Sequence, residues 1–405
     1  MTGPLDGIRV IEVASWMFVP SGGAVLVDWG ADVIKVEPMT GDPQRGLITS
    51  GLLPGGAGGV NFMVEQPHHG KRSIGIDITK PDGREVLLKL VESADVFLTN
   101  YLPQIRRKLG IDTVDLRARN PDLIIARGSG TGPKGKDAER GGYDGAAFWA
   151  RGGMGMTLPG LKDGWPSGQP APAFGDVMGG LATAGAIAAA LLKRERTGEA
   201  STVDVSLLAT AMWQLSPLVV ASKLFGLSRI PQGDRTKTPN PGVSNYRTKD
   251  GRFVALMLLQ SDKHWEGLVT RLGEPDMVTD ERFADSTARA ANSVECVARL
   301  DEAFGRLTLV EVTEAFEGFD GVWAPYQTLD ELYEDEAVIA NGYLPAMTAG
   351  NGQEVQLVAS PAQFDEQPHA AERAPEHGEH TEMILMDLGY DWDQITALKE
   401  GSAVL

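Results

Sequence analysis

The stretch FGDVMGG, residues 174–180, places one carboxylate, Asp176, between an aromatic-glycine pair and a second glycine pair, just ahead of an alanine-rich apolar run. Aspartate is a poor residue for a helix interior, yet at a helix start its side chain can cap free backbone N–H groups. The same position also suits chemistry, because glycines let a ligand approach and a helix N-terminus favours anions. Position alone leaves both readings open. An aspartate with an ordinary pKa of about 3.9 is already ionised at pH 7, so as a nucleophile it needs no partner base. Against an acyl thioester it would form a mixed anhydride and release a thiolate, which can return to give an enzyme-bound thioester. Backbone N–H groups of the neighbouring glycines would then face the oxyanion on the substrate carbonyl.

Other chemistries find less support. Six histidines are present, but none sits in an H-E-x-x-H pattern or at ligand spacing from the single cysteine, so no metal site is expected. No G-x-S-x-G elbow occurs, and GSGTGPKGK (128–136) does not match a P-loop, although it could bend over an anionic ligand. Cys296 reads as a small buried hydrophobe, and one cysteine excludes an intrachain disulfide, which fits a reducing, cytoplasmic compartment. A net charge of −18 argues against general nucleic-acid binding. The N-terminus lacks a signal-peptide pattern, and LATAGAIAAALL reads as a buried helix rather than a membrane span.

The elements that must hold Asp176 follow from periodicity. GIRVIEVA (7–14) and ADVIKVE (31–37) read as strands around a helix, and the pattern repeats through RSIGIDI, DVFLTN and LIIARGSG. Alternating strands and helices predict an α/β fold with a parallel sheet covered on both faces, Rossmann-like but without a G-x-G-x-x-G fingerprint. The Asp176 helix is expected to stop at Gly198, with a strand running into a helix near Ser206. Residues 226–245 read as a linker or binding loop. Beyond it, a hairpin turning at Asp250-Gly251 and a helical stretch from His264 to Gly318 predict a smaller α+β domain. The expected boundaries are 1–220, 226–330 and a C-terminal segment 335–405 with a strand in EVQLVAS and a helix from Trp392.

The ordered series PLDGIRVIEVA, GADVIKVEP, GDPQRG, GKRSIGIDITKPDGRE, ADVFLTNYLPQ, NPDLIIARGSGTG, FGDVMGG, TGEASTVDVSLL, YRTKDGRFVAL and GEHTEMILMDLGYDWDQI resembles the family III CoA-transferases, a group that includes α-methylacyl-CoA racemases. The resemblance implies an interlocked homodimer whose Rossmann-like large domain is built from both chain ends. It implies coenzyme A as part of the substrates, with no metal or redox cofactor, and it makes Asp176 the acyl-carrying nucleophile. By the same resemblance Lys71 and Arg72 lie beside the nucleotide, Asn100 and Tyr101 line the cleft, and Lys108 contacts phosphate. Trp16 and Met17 replace the family's small polar acyl-pocket segment, Pro38-Met39 stand where a basic residue often follows the second strand, and Gly141 replaces a lysine of some relatives. The racemase branch carries a His-Asp pair where this chain has Tyr143-Asp144. A racemase needs two acid/base groups on opposite faces of the α-carbon. That favours a transferase, with a racemase using Asp176 and a non-catalytic CoA-binding paralogue as the alternatives. Phe148, Trp149, Met154, Met156 and Trp165 are candidates for a bulky apolar acyl pocket, or equally for core or dimer interface. Residues 155–168 read as a flexible loop near the nucleophile that could cover or shape the site.

Overall fold

Short apolar runs buried on both faces become the strands of a parallel sheet, because helices cover each side. The computed structural model describes residues 3–47, 59–158, 164–227 and 233–405. Its main sheet comprises β1 (Arg9–Val13), β2 (Asp32–Glu37), β3 (Arg72–Gly75), β4 (Val96–Thr99), β5 (Ile124–Ser129) and β6 (Thr202–Ser206). All neighbours pair in parallel, in the order β3-β2-β1-β4-β5-β6. The direction of winding reverses between β1 and β4, and such a reversal opens a crevice at the carboxyl ends of the strands.

The connections are helical. α1 (Phe18–Asp28) joins β1 to β2, α2 (Phe62–His68) precedes β3, and α3 (Pro81–Glu92) leads to β4. α4 (Pro103–Leu109) and α5 (Thr113–Arg119) lead to β5. Between β5 and β6 come a π-helical turn (Gly145–Ala150), the short α6 (Met154–Thr157) and the long α7 (Phe174–Thr197). α8 (Leu207–Gln214) follows β6, with Ser206 Oγ accepting the Ala209 N–H as its cap. Alternate residues of each strand feed two cores. Val10, Leu98 and Ala126 pack with α1 and α7 on one face. Ile11, Phe97 and Ile125 pack on the other with α3 and with Ile384, Leu385 and Ile395 from the end of the chain. Both chain ends therefore build this sheet's surroundings.

Two compact units result, Met1–Ile230 with Glu336–Leu405, and Pro231–Asp335. The second holds the antiparallel sheet β7 (Val243–Arg247), β8 (Phe253–Met257) and β9 (Trp323–Pro325). The β7–β8 connection turns at Gly251, whose φ of 81° suits glycine. Helices complete a core around Tyr246, Trp265, Leu300 and Phe304. Cys296 is fully buried there, and burial pushes its thiol up to about 12, so it stays a neutral apolar filler. In the C-terminal segment, only Glu354–Gln356 of the expected strand is extended, while the last helix spans Trp392–Glu400.

α7 is long and apolar enough by composition to cross a bilayer, yet it lies against α1, β5 and β6, with Ala184 and Ile187 fully buried. It approaches α1 closely because glycines meet. A Cβ at Gly180 would stand 2.8 Å from the Gly22 nitrogen and 2.9 Å from the Phe18 oxygen, both backbone atoms that cannot swing aside. Gly180→Ala should therefore force the two helices apart and destabilise the fold by about 1–3 kcal/mol. A lower urea midpoint with an unchanged denaturant slope is the expected readout.

Candidate active site

Asp176 is in the first turn of α7, and the cap question has a specific answer. The cap position is held by Ala173 in a left-handed conformation, φ 59°, and its side chain can donate or accept nothing. The capping carboxylate comes instead from Asp144, which is 6% exposed and accepts the Gly175 N–H at 3.1 and 3.2 Å. Asp144 does the structural work, and Asp176 is left for something else. Gly175 makes this possible, since a Cβ there would lie 2.2 Å from Phe148 and 2.5 Å from Asp144.

Two expectations change as a result. Gly175 does not offer its N–H to an oxyanion, and Gly179 and Gly180 serve close packing against Phe18 and Ser21. Nor is Asp176 an ordinary carboxylate: burial first, and the Asp144 charge second, push it up to about 7. Its proton is therefore held far above the usual carboxylate range. A carboxylate so raised is a stronger base and nucleophile once ionised.

The surrounding cavity sits where the strand order reverses. The chain leaving β1 supplies Ser15 and Trp16, that leaving β4 supplies Asn100 and Tyr101, and β5 ends at Gly128 and Ser129. With Tyr143 and Asp176 these line about 390 Å³. Asn100 ties two strand ends together, its Oδ1 accepting the Ser15 N–H at 3.1 Å and its Nδ2 donating to the Ser15 carbonyl at 2.6 Å. Trp16 adopts φ 71°, a strained conformation for a bulky residue that costs on the order of 1–3 kcal/mol. Its ring meets Tyr143 edge to face at 5.7 Å. A second cavity of about 250 Å³, lined by Val13, Val36, Pro38, Met39 and Ile76, shares Tyr101 with the first.

Of the residues singled out from sequence, Asp176, Asn100, Tyr101, Trp16 and Tyr143 converge on one cavity. Met17 is buried at the start of α1 and is not among that cavity's lining residues. Lys108 is exposed on α4 between Ile105, which lines the first cavity, and Leu109, which lines the second. Lys71 is 3% exposed, its ammonium bonded to Glu12 Oε2 at 2.7 Å and to the Pro20 carbonyl at 2.8 Å. Arg72 opens β3 at the opposite end of the sheet and pairs with Asp32 at 2.6 Å and Asp387 at 3.2 Å. Phe148, Trp149 and Met154 belong to the main core, whereas Met156 and Trp165 are exposed. Residues 159–163 of the loop expected near the site and 228–232 of the expected linker lie outside the described residues. No group of potential metal ligands occurs among the described residues.

Sequence reasoning missed a buried set of ions that reaches the cavity-lining Trp16 through Asp42: Glu12, Lys35 and Asp42, none more than 2% exposed. The signal was there. Glu12 and Lys35 each interrupt an apolar strand, and they face each other in register across β1 and β2. Paired charges at matching positions of neighbouring buried strands mark an internal ion pair.

Comparison with known proteins agrees with this fold. The family model for CoA-transferase family III matches residues 5–381. The chain is 30% identical over 406 residues to a cinnamoyl-CoA:phenyllactate CoA-transferase of Clostridium sporogenes, covering 100% of this chain and 98% of that one. It is 32% identical over 403 residues to an (R)-2-hydroxy-4-methylpentanoate CoA-transferase of Clostridioides difficile, covering 99% of each. The crystal structure of a CAIB/BAIF family protein from Brucella suis superposes with a TM-score of 0.80 at 30% identity, over 96% of this chain and 100% of that one. With a parallel-sheet crevice and end-to-end likeness in both sequence and structure, the chain belongs to CoA-transferase family III and is an enzyme of that class.

Proposed function

We propose that the enzyme moves CoA from an acyl-CoA donor to a carboxylic acid acceptor through covalent intermediates on Asp176, working as an interlocked homodimer. The observation that carries this reading is a cavity-lining carboxylate that caps nothing and titrates near neutrality, at about 7. An ionised Asp176 oxygen attacks the thioester carbonyl, the C–S bond breaks, and CoA leaves as its thiolate. An acyl-aspartyl anhydride remains. The thiolate then attacks the Asp176 carbonyl carbon, the donor's carboxylate departs, and CoA is held as an aspartyl thioester. The acceptor carboxylate attacks that thioester and the returning thiolate attacks the acceptor's carbonyl, which releases the new acyl-CoA and restores Asp176.

Two cavities that share Tyr101 as a lining residue suit an extended ligand, with the base end of CoA in the smaller one and the thioester beside Asp176. Lys108, exposed between their lining residues, is then the phosphate partner. Trp16, Phe18, Ile105 and Tyr143 favour a bulky apolar acyl group, in keeping with the acids named in the two relatives above. A second copy would cover Trp213 on α8 and Leu224 and Phe225 on the next helix, Ser216–Phe225, all 70–80% exposed. A racemase would need Asp144 as its second acid/base, and that carboxylate is committed to the Gly175 N–H.

Mass spectrometry after incubation with a panel of acyl-CoAs and hydroxylamine tests the reading. The expected result is a hydroxamate on the peptide containing Asp176, absent from Asp176→Ala. An unmodified peptide together with solvent deuterium entering the α-carbon of a 2-methylacyl-CoA would make the protein a racemase instead.

A further inference from the structure

Trp16 holds a conformation that a bulky side chain does not choose, so its surroundings must impose it. Three hydrogen-bonded clamps act on consecutive residues after β1. Lys35 Nζ donates to the Ala14 carbonyl at 3.0 Å. Asn100 brackets Ser15 from β4. The third clamp is on Trp16 itself, whose N–H donates to Asp42 Oδ1 at 3.1 Å.

The last clamp is anchored in the buried ion set. Asp42 Oδ2 lies 2.8 Å from Lys35 Nζ, and Lys35 is 3.3 Å from Glu12 Oε1. Glu12 Oε2 in turn holds Lys71. Gly23 leaves the room for this, since a Cβ there would fall 2.1 Å from Glu12 Oε2. A chain of buried charges gives little net stability compared with an apolar core, but it fixes geometry, because each ion has few alternative partners away from water. Here the fixed object is a wall of the cavity that contains Asp176.

We infer that the buried Glu12–Lys35–Asp42 chain is a positioning device for Trp16, and that through Trp16 it sets discrimination among acyl groups. Asp42 and Lys35 are not among the cavity's lining residues. They act by holding the Trp16 backbone so that its ring stands against Tyr143 as one side of the acyl pocket. The inference rests on the reading that this cavity takes the acyl group, but not on the covalent chemistry at Asp176.

Binding, rather than turnover, is therefore the measurement. In an Asp176→Ala background, which leaves acyl-CoA intact, calorimetry gives Kd values for butanoyl-CoA and octanoyl-CoA. Asp42→Ala removes the acceptor for the Trp16 N–H and unbalances the interior charge. Lys35→Met/Asp42→Ala removes both charges and is the variant to use should the single substitution fail to fold. Either should change the ratio of the two Kd values by about tenfold, within the range by which an apolar pocket resolves small differences in chain. The change should vanish in proteins that already carry Trp16→Ala, because positions acting through one side chain are non-additive. A ratio that stays within twofold of the starting protein, both ligands weakening together, means the ions serve stability alone and overturns the inference. So does a shift that persists without Trp16. Failure of the covalent reading would appear elsewhere, as a parent enzyme that forms no Asp176 adduct while the Kd ratios still move.

Discussion

Asp176→Ala lowers kcat/KM for CoA transfer by on the order of 10⁴-fold or more, while the Kd for the acyl-CoA donor stays within a few-fold. The size of the effect follows from the role: without the carboxylate neither anhydride nor thioester can form, and at about 1.4 kcal/mol per tenfold the loss exceeds about 5 kcal/mol of transition-state stabilisation. The unchanged Kd follows from the structure. Asp176 makes no cap bond, since Asp144 supplies the carboxylate for α7, so truncation leaves the helix start and the cavity walls standing. Asp176→Asn is the sharper control, because it keeps the shape and removes only the nucleophilic oxygen. Steady-state kinetics with the best donor from the trapping panel, alongside calorimetric Kd values, separate the two quantities. Either variant retaining more than about 1% of activity would move the nucleophile away from Asp176.

Much of the architecture could be read from the chain. Runs such as VIEVA and LIIARGS have the β-branched, two-sided apolar character of buried parallel strands, and β1 through β6 form where that pattern occurs. The glycines of VMGG read as access for a ligand and for an oxyanion; that Gly180 instead packs against Gly22 of α1 depends on which segments meet. The site was legible only in part. Asn100, Tyr101 and Trp16 follow strand ends, where a doubly wound sheet binds ligands, and the cavity is there. Arg72 could not be placed in this way. Its position one residue from a buried lysine says nothing about which end of the sheet its guanidinium serves, and Asp32, 40 positions earlier, captures it. The cap on α7 was invisible for the same reason: Asp144 lies 31 residues from Gly175, and only tertiary packing brings its carboxylate to that N–H. The raised pKa of Asp176 is likewise a property of burial and of a neighbour distant in sequence.

That raised pKa sets activity against stability. The folded protein holds the Asp176 proton up to about pH 7, whereas an unfolded aspartate releases it near its ordinary value of 3.8. The folded state therefore binds more protons between these limits. The contribution of Asp176 to stability is fully present below about pH 3.8 and is lost as pH rises to about 7. At about 1.36 kcal/mol per unit, the loss approaches, as an upper bound, roughly 4 kcal/mol. Asp176→Asn cannot ionise and escapes it. Urea midpoints should therefore favour the asparagine variant at pH 8 and converge with the parent at the acid end. Over the same interval the parent's kcat/KM should climb about tenfold per pH unit and level off above about 7, because only the ionised carboxylate attacks. Asp144→Asn supplies the internal check. It keeps an acceptor for the Gly175 N–H but removes the like charge, so both the activity limb and the stability difference should move to lower pH together. Parallel stability curves for parent and Asp176→Asn would return Asp176 to an ordinary carboxylate, ionised throughout. Diverging curves would mean that the group doing the chemistry is, at working pH, among the groups the fold would be more stable without.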